Sequence, residues 1–154
     1  VRKLWMLRFA KISERKINRL EAKYQDTIER EANEGYYKAL YLMARRSQLQ
    51  KDVEAATFWC LKAIEKGDTI SYHNLWILED NEEKSKAYLI KGAELGDLQC
   101  RWKLGRCYGG GRFGFEKNIE KALELLHSLP ADYGNCKIDI ARVTAEVIGI
   151  ADPY

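Results

Sequence analysis

The sequence predicts an all-α fold, a short α-solenoid of stacked antiparallel helix pairs. Three observations lead there. First, apolar residues recur at helical spacing along the chain, and only two of its 154 residues are proline. Second, Gly35, Gly67, Gly96 and Gly134 are separated by 32, 29 and 38 residues, each closing one helical stretch and opening the next. Third, fixed offsets from the first three glycines carry similar side chains. Four residues on stand the small Ala39, Ser71 and Cys100; eight residues on stand the large Met43, Leu75 and Leu104. A period near 30 residues marks a repeat whose units bury their apolar faces against one another.

Taken in order, residues 1–33 read as an N-terminal helical segment. Residues 1–12 are a helix or a loosely docked lead-in, and a helix follows from Ser13 to Asn33. Its apolar stripe is Ile17, Leu20, Tyr24 and Ile28, at steps of three, four and four. Gly35 opens a helix through Tyr37, Ala39, Leu42 and Met43, ended by a polar break from Ser47 to Lys51. Asp52 caps the next helix, Val53 to Lys66, and Gly67 ends it. A helix near Ile70–Leu78, an acidic turn Glu79–Glu83 and a helix Lys84–Leu95 follow, closed by Gly96. The central hairpin pairs a helix over 97–108 with one over 116–126 across a glycine loop, Gly109 to Gly114. Pro130 stops the chain's helical run after Leu129. Gly134-Asn135 starts a last helix to about Ile148. The repeat hairpins thus occupy 34–148, residues 149–154 are a tail, and 1–154 reads as one helical-repeat domain.

Composition narrows the function. Hydrophobic residues make up 46% and the net charge is +3, unevenly spread: residues 1–50 hold 12 basic and 6 acidic side chains, the rest 14 and 17. Charges of both signs are interspersed, which reads as solvated helix faces. Arg45-Arg46 and the group Arg101, Lys103 and Arg106 do not amount to a nucleic-acid module. There is no apolar run of about 18 residues, so membrane insertion is not expected. The chain starts at Val1 rather than Met, which leaves a cytoplasmic location and, with a removed leader, a periplasmic one both open.

No catalytic constellation, cofactor motif or metal site emerges. Cys60, Cys100, Cys107 and Cys136 form no Cys-x-x-Cys pair, and His73 and His127 are far apart, so zinc is not expected. The cysteines read as small buried apolar residues, with a disulfide between helices as the alternative in an exported protein. The acidic run Glu79 to Glu83 lacks the alternation of a calcium loop. The glycine loop at 109–114 has neither a preceding strand nor a following Gly-Lys-Ser/Thr, which excludes a P-loop.

The second helices repeat as well. Lys62-Ala63-Ile64-Glu65-Lys66-Gly67 aligns with Lys91-Gly92-Ala93-Glu94-Leu95-Gly96. With Gly96-Asp97, Leu104-Gly105, Tyr108, Gly109-Gly110-Gly111 and Lys121-Ala122, these stretches resemble the Sel-one-like repeat family, relatives of the tetratricopeptide repeat. The resemblance covers roughly Glu31 to Ile148. It departs from the pattern at Trp76, which stands where the motif has glycine, in the first unit's missing glycine loop, and in the last unit's missing second helix. The resemblance implies a right-handed tetratricopeptide-like superhelix and a non-enzymatic scaffold or adaptor. Some bacterial members of the family neutralise secreted toxins as immunity proteins, which is the alternative function it implies.

A binding surface follows from the repeat register. Offsets three, six and ten from each opening glycine share a helix face, and offset six lies about 200° from core offset eight. Those positions are Lys38, Tyr41 and Arg45; Ile70, His73 and Ile77; and Gln99, Trp102 and Arg106. If the first helices line a concave surface, Tyr41, His73 and Trp102 form a row along it, with Lys38, Arg45, Ile77, Gln99 and Arg106 beside them. The expected partner is a protein segment with an apolar or aromatic anchor and nearby acids. The competing assignment places Trp102 in the core.

Overall fold

A computed structural model describes residues 14–149. The expected lead-in over 1–12, the start of the first helix at Ser13 and most of the tail lie outside the described residues. Among the described residues there are nine helices and no strand. They are α1 (Glu14–Lys23), α2 (Gln25–Asn33), α3 (Tyr37–Leu49), α4 (Val53–Glu65), α5 (Ser71–Leu78), α6 (Glu82–Glu94), α7 (Leu98–Gly110), α8 (Ile119–His127) and α9 (Cys136–Val147). The chain divides into two compact units, 1–71 and 72–154.

In the first unit α3 packs against α2 and, most extensively, against α4. Its core is Ile28, Ala32, Ala39, Leu40, Leu42 and Ala63, with Leu20, Tyr41, Met43 and Trp59 around it. In the second unit α7 pairs with α6 and α8, and α9 packs on α8. Leu89, Cys100, Leu104 and Phe115 centre one cluster; Ala122, Leu126, Cys136 and Val143 centre the next. The repeat register is visible in burial. The small residues Ala39, Ser71 and Cys100 are all 0% exposed, and Leu75 and Leu104 are buried behind them. A small side chain at that turn lets the neighbouring helix approach closely.

The punctuation is equally local. Gly35, Gly67, Gly96 and Gly134 all have positive φ, from 50° to 91°; the first three each close a helix in the left-handed region that glycine enters freely, whereas Gly134 stands in the turn before α9. Side-chain caps then start the following helices. The Asp97 carboxylate accepts from the Cys100 N–H at 2.8 Å, Asp52 from Ala55 at 3.0 Å, Asn81 from Lys84 at 3.0 Å and Asn118 from Lys121 at 2.9 Å. Buried Asp68 does the same for the Ser71 N–H at 2.7 Å.

Three expected boundaries are corrected. The helix over 13–33 is α1 and α2, meeting at Tyr24, whose φ of −108° and ψ of 21° leave the α region. The ladder still crosses the junction, from Tyr24 N–H to Leu20 and from Ile28 N–H to Tyr24, so this is a local distortion rather than a loop. The expected polar break at Ser47–Lys51 is mostly helix: Ser47 is buried in the last turn of α3, and the chain reverses only at Lys51, with φ 60°. Residues Gly109 and Gly110 likewise belong to α7, which ends at the left-handed Gly111.

Gly105 confirms the hairpin register. It is buried, and a Cβ there would lie 3.0 Å from Leu126 Cγ and 3.4 Å from the Ala122 carbonyl oxygen on α8. Gly105→Leu should therefore cost about 2 kcal/mol through overpacking. Thermal melting followed by circular dichroism checks this, and an unchanged midpoint would contradict the close α7–α8 contact.

Candidate partner-binding site

On α3 the expected face is not bare. Tyr41 packs on the core of its unit, and the Lys38 ammonium lies 5.6 Å from the Tyr37 ring centroid. Arg45 is held by α1. Its guanidinium donates to Glu14 at 2.8 Å, to Glu21 at 3.2 Å and, through both terminal nitrogens, to Asn18 at 3.3 Å, which leaves 12% of the side chain exposed. A fork with so many acceptors is fixed in place, so Arg45 works as a clamp between helices.

On α5, Ile77 is 61% exposed. His73 is half-buried, its ring tilted against Trp76 at 5.5 Å between centroids. Its Nε2 is buried without a hydrogen-bond partner among the described residues. Burial first, then nearby Lys103, lowers the imidazole to about 4, with Asp97 acting in the opposite sense. The ring is thus neutral at pH 7.

On α7, Gln99, Trp102 and Arg106 are brought together and partly covered by the C-terminal segment. Gln99 accepts from the Tyr133 hydroxyl at 2.9 Å, and the Tyr133 ring meets Trp102 edge-on at 6.1 Å. The indole N–H of Trp102 donates to Asp139 at 2.8 Å. Arg106 lies over the indole at 5.3 Å and pairs with Asp139 at 3.5 Å. Arg142 reaches the same carboxylate at 3.4 Å. Trp102 is therefore neither fully buried nor a bare anchor: one side packs on the last cluster and its polar edge is committed to Asp139.

The sequence reading missed Asp139, the hub of this network, only 5% exposed. A signal was present. Asp139 follows Cys136 by three residues and precedes Val143 by four, which puts an acid on the apolar stripe of α9. A buried carboxylate in that phase needs donors from another element.

Beside the network a cleft of about 410 Å³ opens among α5, α7, α9 and the loop after α7. Lys103, Arg106, Arg112 and Arg142 line it, with Asp139 and Glu146 as the acids. Gly109 and Gly110 place bare backbone in its wall, and Trp76 meets Phe113 edge-to-face there at 5.6 Å. Trp76 and Phe113 had not been singled out as contact residues.

The remaining chemistry is quiet. All four cysteines are free thiols and buried. Desolvation raises Cys100, and pushes Cys107 up to about 11, so neither is a ready nucleophile. Among the described residues no group of three or more His, Cys, Asp or Glu side chains could hold a metal, and no helix is long and apolar enough to cross a membrane.

The model of the Sel1 repeat matches three consecutive segments, residues 38–68, 73–97 and 98–128. The segments span the hairpins α3–α4, α5–α6 and α7–α8. No curated protein and no solved structure matches the chain.

Proposed function

Because this chain belongs to the Sel1 repeat family, a non-catalytic protein-interaction module, we propose that it is a scaffold or adaptor that binds a partner protein through its repeat hairpins. The three consecutive repeat matches carry this reading. The exposed positions on the first helices support it. Ile77 leaves a large apolar side chain in water, and Arg106 is 39% exposed beside Trp102. Aromatic and arginine side chains of this kind dominate binding hot spots.

Affinity capture from the native host, followed by mass spectrometry, tests the proposal. Wild-type protein should retain a specific partner, and Ile77→Glu, whose site is exposed enough to leave the fold intact, should weaken that retention. Failure to retain any protein above background would count against a scaffold. Recovery of a secreted toxin, inhibited on binding, would assign the module to immunity instead.

A further inference from the structure

We infer that the cleft in the 72–154 unit is the docking pocket for a short acidic segment of the partner protein, anchored by an aromatic or long apolar side chain. The inference rests on the protein-binding reading and names the ligand chemistry of one site within it.

Charge is the first argument. Four cationic side chains, Lys103, Arg106, Arg112 and Arg142, line the cleft against two carboxylates. Both carboxylates are already engaged. Asp139 takes the Trp102 N–H and two guanidiniums, and Glu146 is paired with Lys117. Lys103 and Arg112 make no ion pair among the described residues. The surroundings have the opposite sign, since residues 72–154 contain 11 basic and 13 acidic side chains. A cationic spot within an acidic unit favours a ligand with a few local negative charges over a long polyanion, which would meet repulsion on leaving the cleft.

Shape is the second. Phe113 is 65% exposed, and its φ of 55° is one that a bulky residue rarely adopts. That backbone holds the ring against Trp76 beside the cationic groups. The exposed bare backbone of Gly110 adds polar groups to the same wall. A volume of about 410 Å³ falls in the range of ligand sites and accommodates one large side chain with adjacent carboxylates.

Peptide-display selection on the full chain tests this, with a randomised linear library as the probe. The enriched sequences should place Asp or Glu beside Trp, Phe or Leu. Binding of a synthetic peptide of that sequence should weaken at least tenfold in Arg112→Glu, and again in Phe113→Gly. Glycine suits the left-handed backbone at 113, so this variant removes the ring without threatening the fold. Lys62→Glu, on α4, should bind as wild type does. Enriched peptides that lack acids, or that bind both variants normally, would overturn the inference while leaving a protein-binding module elsewhere on the chain. An empty selection, or binding of single-stranded oligonucleotide that Arg112→Glu abolishes, would overturn it too. Affinity capture scores the broader scaffold reading independently of each result.

Discussion

Asp139→Ala is expected to destabilise the 72–154 unit by about 3 kcal/mol. The carboxylate is nearly inaccessible, and three donors from two helices converge on it: the Trp102 indole, Arg106 and Arg142. Removing it leaves the indole N–H without its acceptor, which costs about 1–3 kcal/mol where water cannot replace it. It also takes away the carboxylate that both guanidiniums share. Breaking a fully buried pair costs about 3–5 kcal/mol, but both arginine heads are 39% exposed and solvent screens them, so the lower end applies. Asp139→Asn keeps an oxygen for the indole and should lose about 1 kcal/mol. Urea unfolding of both variants gives the comparison. Equal losses would show that charge alone matters, and an unchanged midpoint for Asp139→Ala would remove the network as a stabilising element.

Asp139 also marks the boundary of what the sequence discloses. Local rules were legible. The left-handed Gly35, Gly67 and Gly96, the capping Asp52, Asp68 and Asp97, and the small residues four positions on act within one turn or one helix pair, and the structure places them as expected; at Gly134-Asn135 the pattern fails, because Asn135 makes no side-chain cap. Periodicity also proposed a face of each first helix that turns away from the core, yet Tyr41 and Trp102 on that face pack against core clusters. It could not say what covers that face. Arg45 is clamped by Glu14, Asn18 and Glu21, 24 to 31 residues earlier, and Trp102 by Asp139, 37 residues later. Such pairings are tertiary, and offset arithmetic within one repeat holds no information about them. The boundary errors have a nearer cause. Ser47 and Gly109 look like breakers by type, yet both are buried inside helices, where packing overrides intrinsic preference. The cleft was missed for both reasons, since Phe113 sits in a loop and Arg142 on the helix beyond the last matched repeat.

Gly92→Val is expected to cost about 3 kcal/mol or more, because Gly92 stands where α6 meets two neighbours at once. A Cβ there would lie 2.4 Å from Cys100 Sγ and 3.1 Å from Cys100 Cβ on α7, and 2.8 Å from Tyr72 Cβ on α5. Neither neighbour can swing aside. Cys100 is fully buried, and a Cβ moves only with its own backbone, so a helix has to shift. Overpacking of this kind costs about 1–3 kcal/mol, occasionally more, and valine adds two further methyl groups. Alanine is the informative smaller step. It gains up to about 1 kcal/mol of helix propensity over glycine, so Gly92→Ala should be destabilising by only about 1–2 kcal/mol. Combining it with Cys100→Ala removes the sulfur but not the Tyr72 contact. The double variant should therefore lose less than the sum of the single losses, by about 1 kcal/mol, as residues in direct contact do. Guanidinium melts of the four proteins in the cycle measure that coupling. Strict additivity would mean that α6 and α7 are not in contact at this turn, and the close helix approach inferred from the repeat's small residues would fail with it.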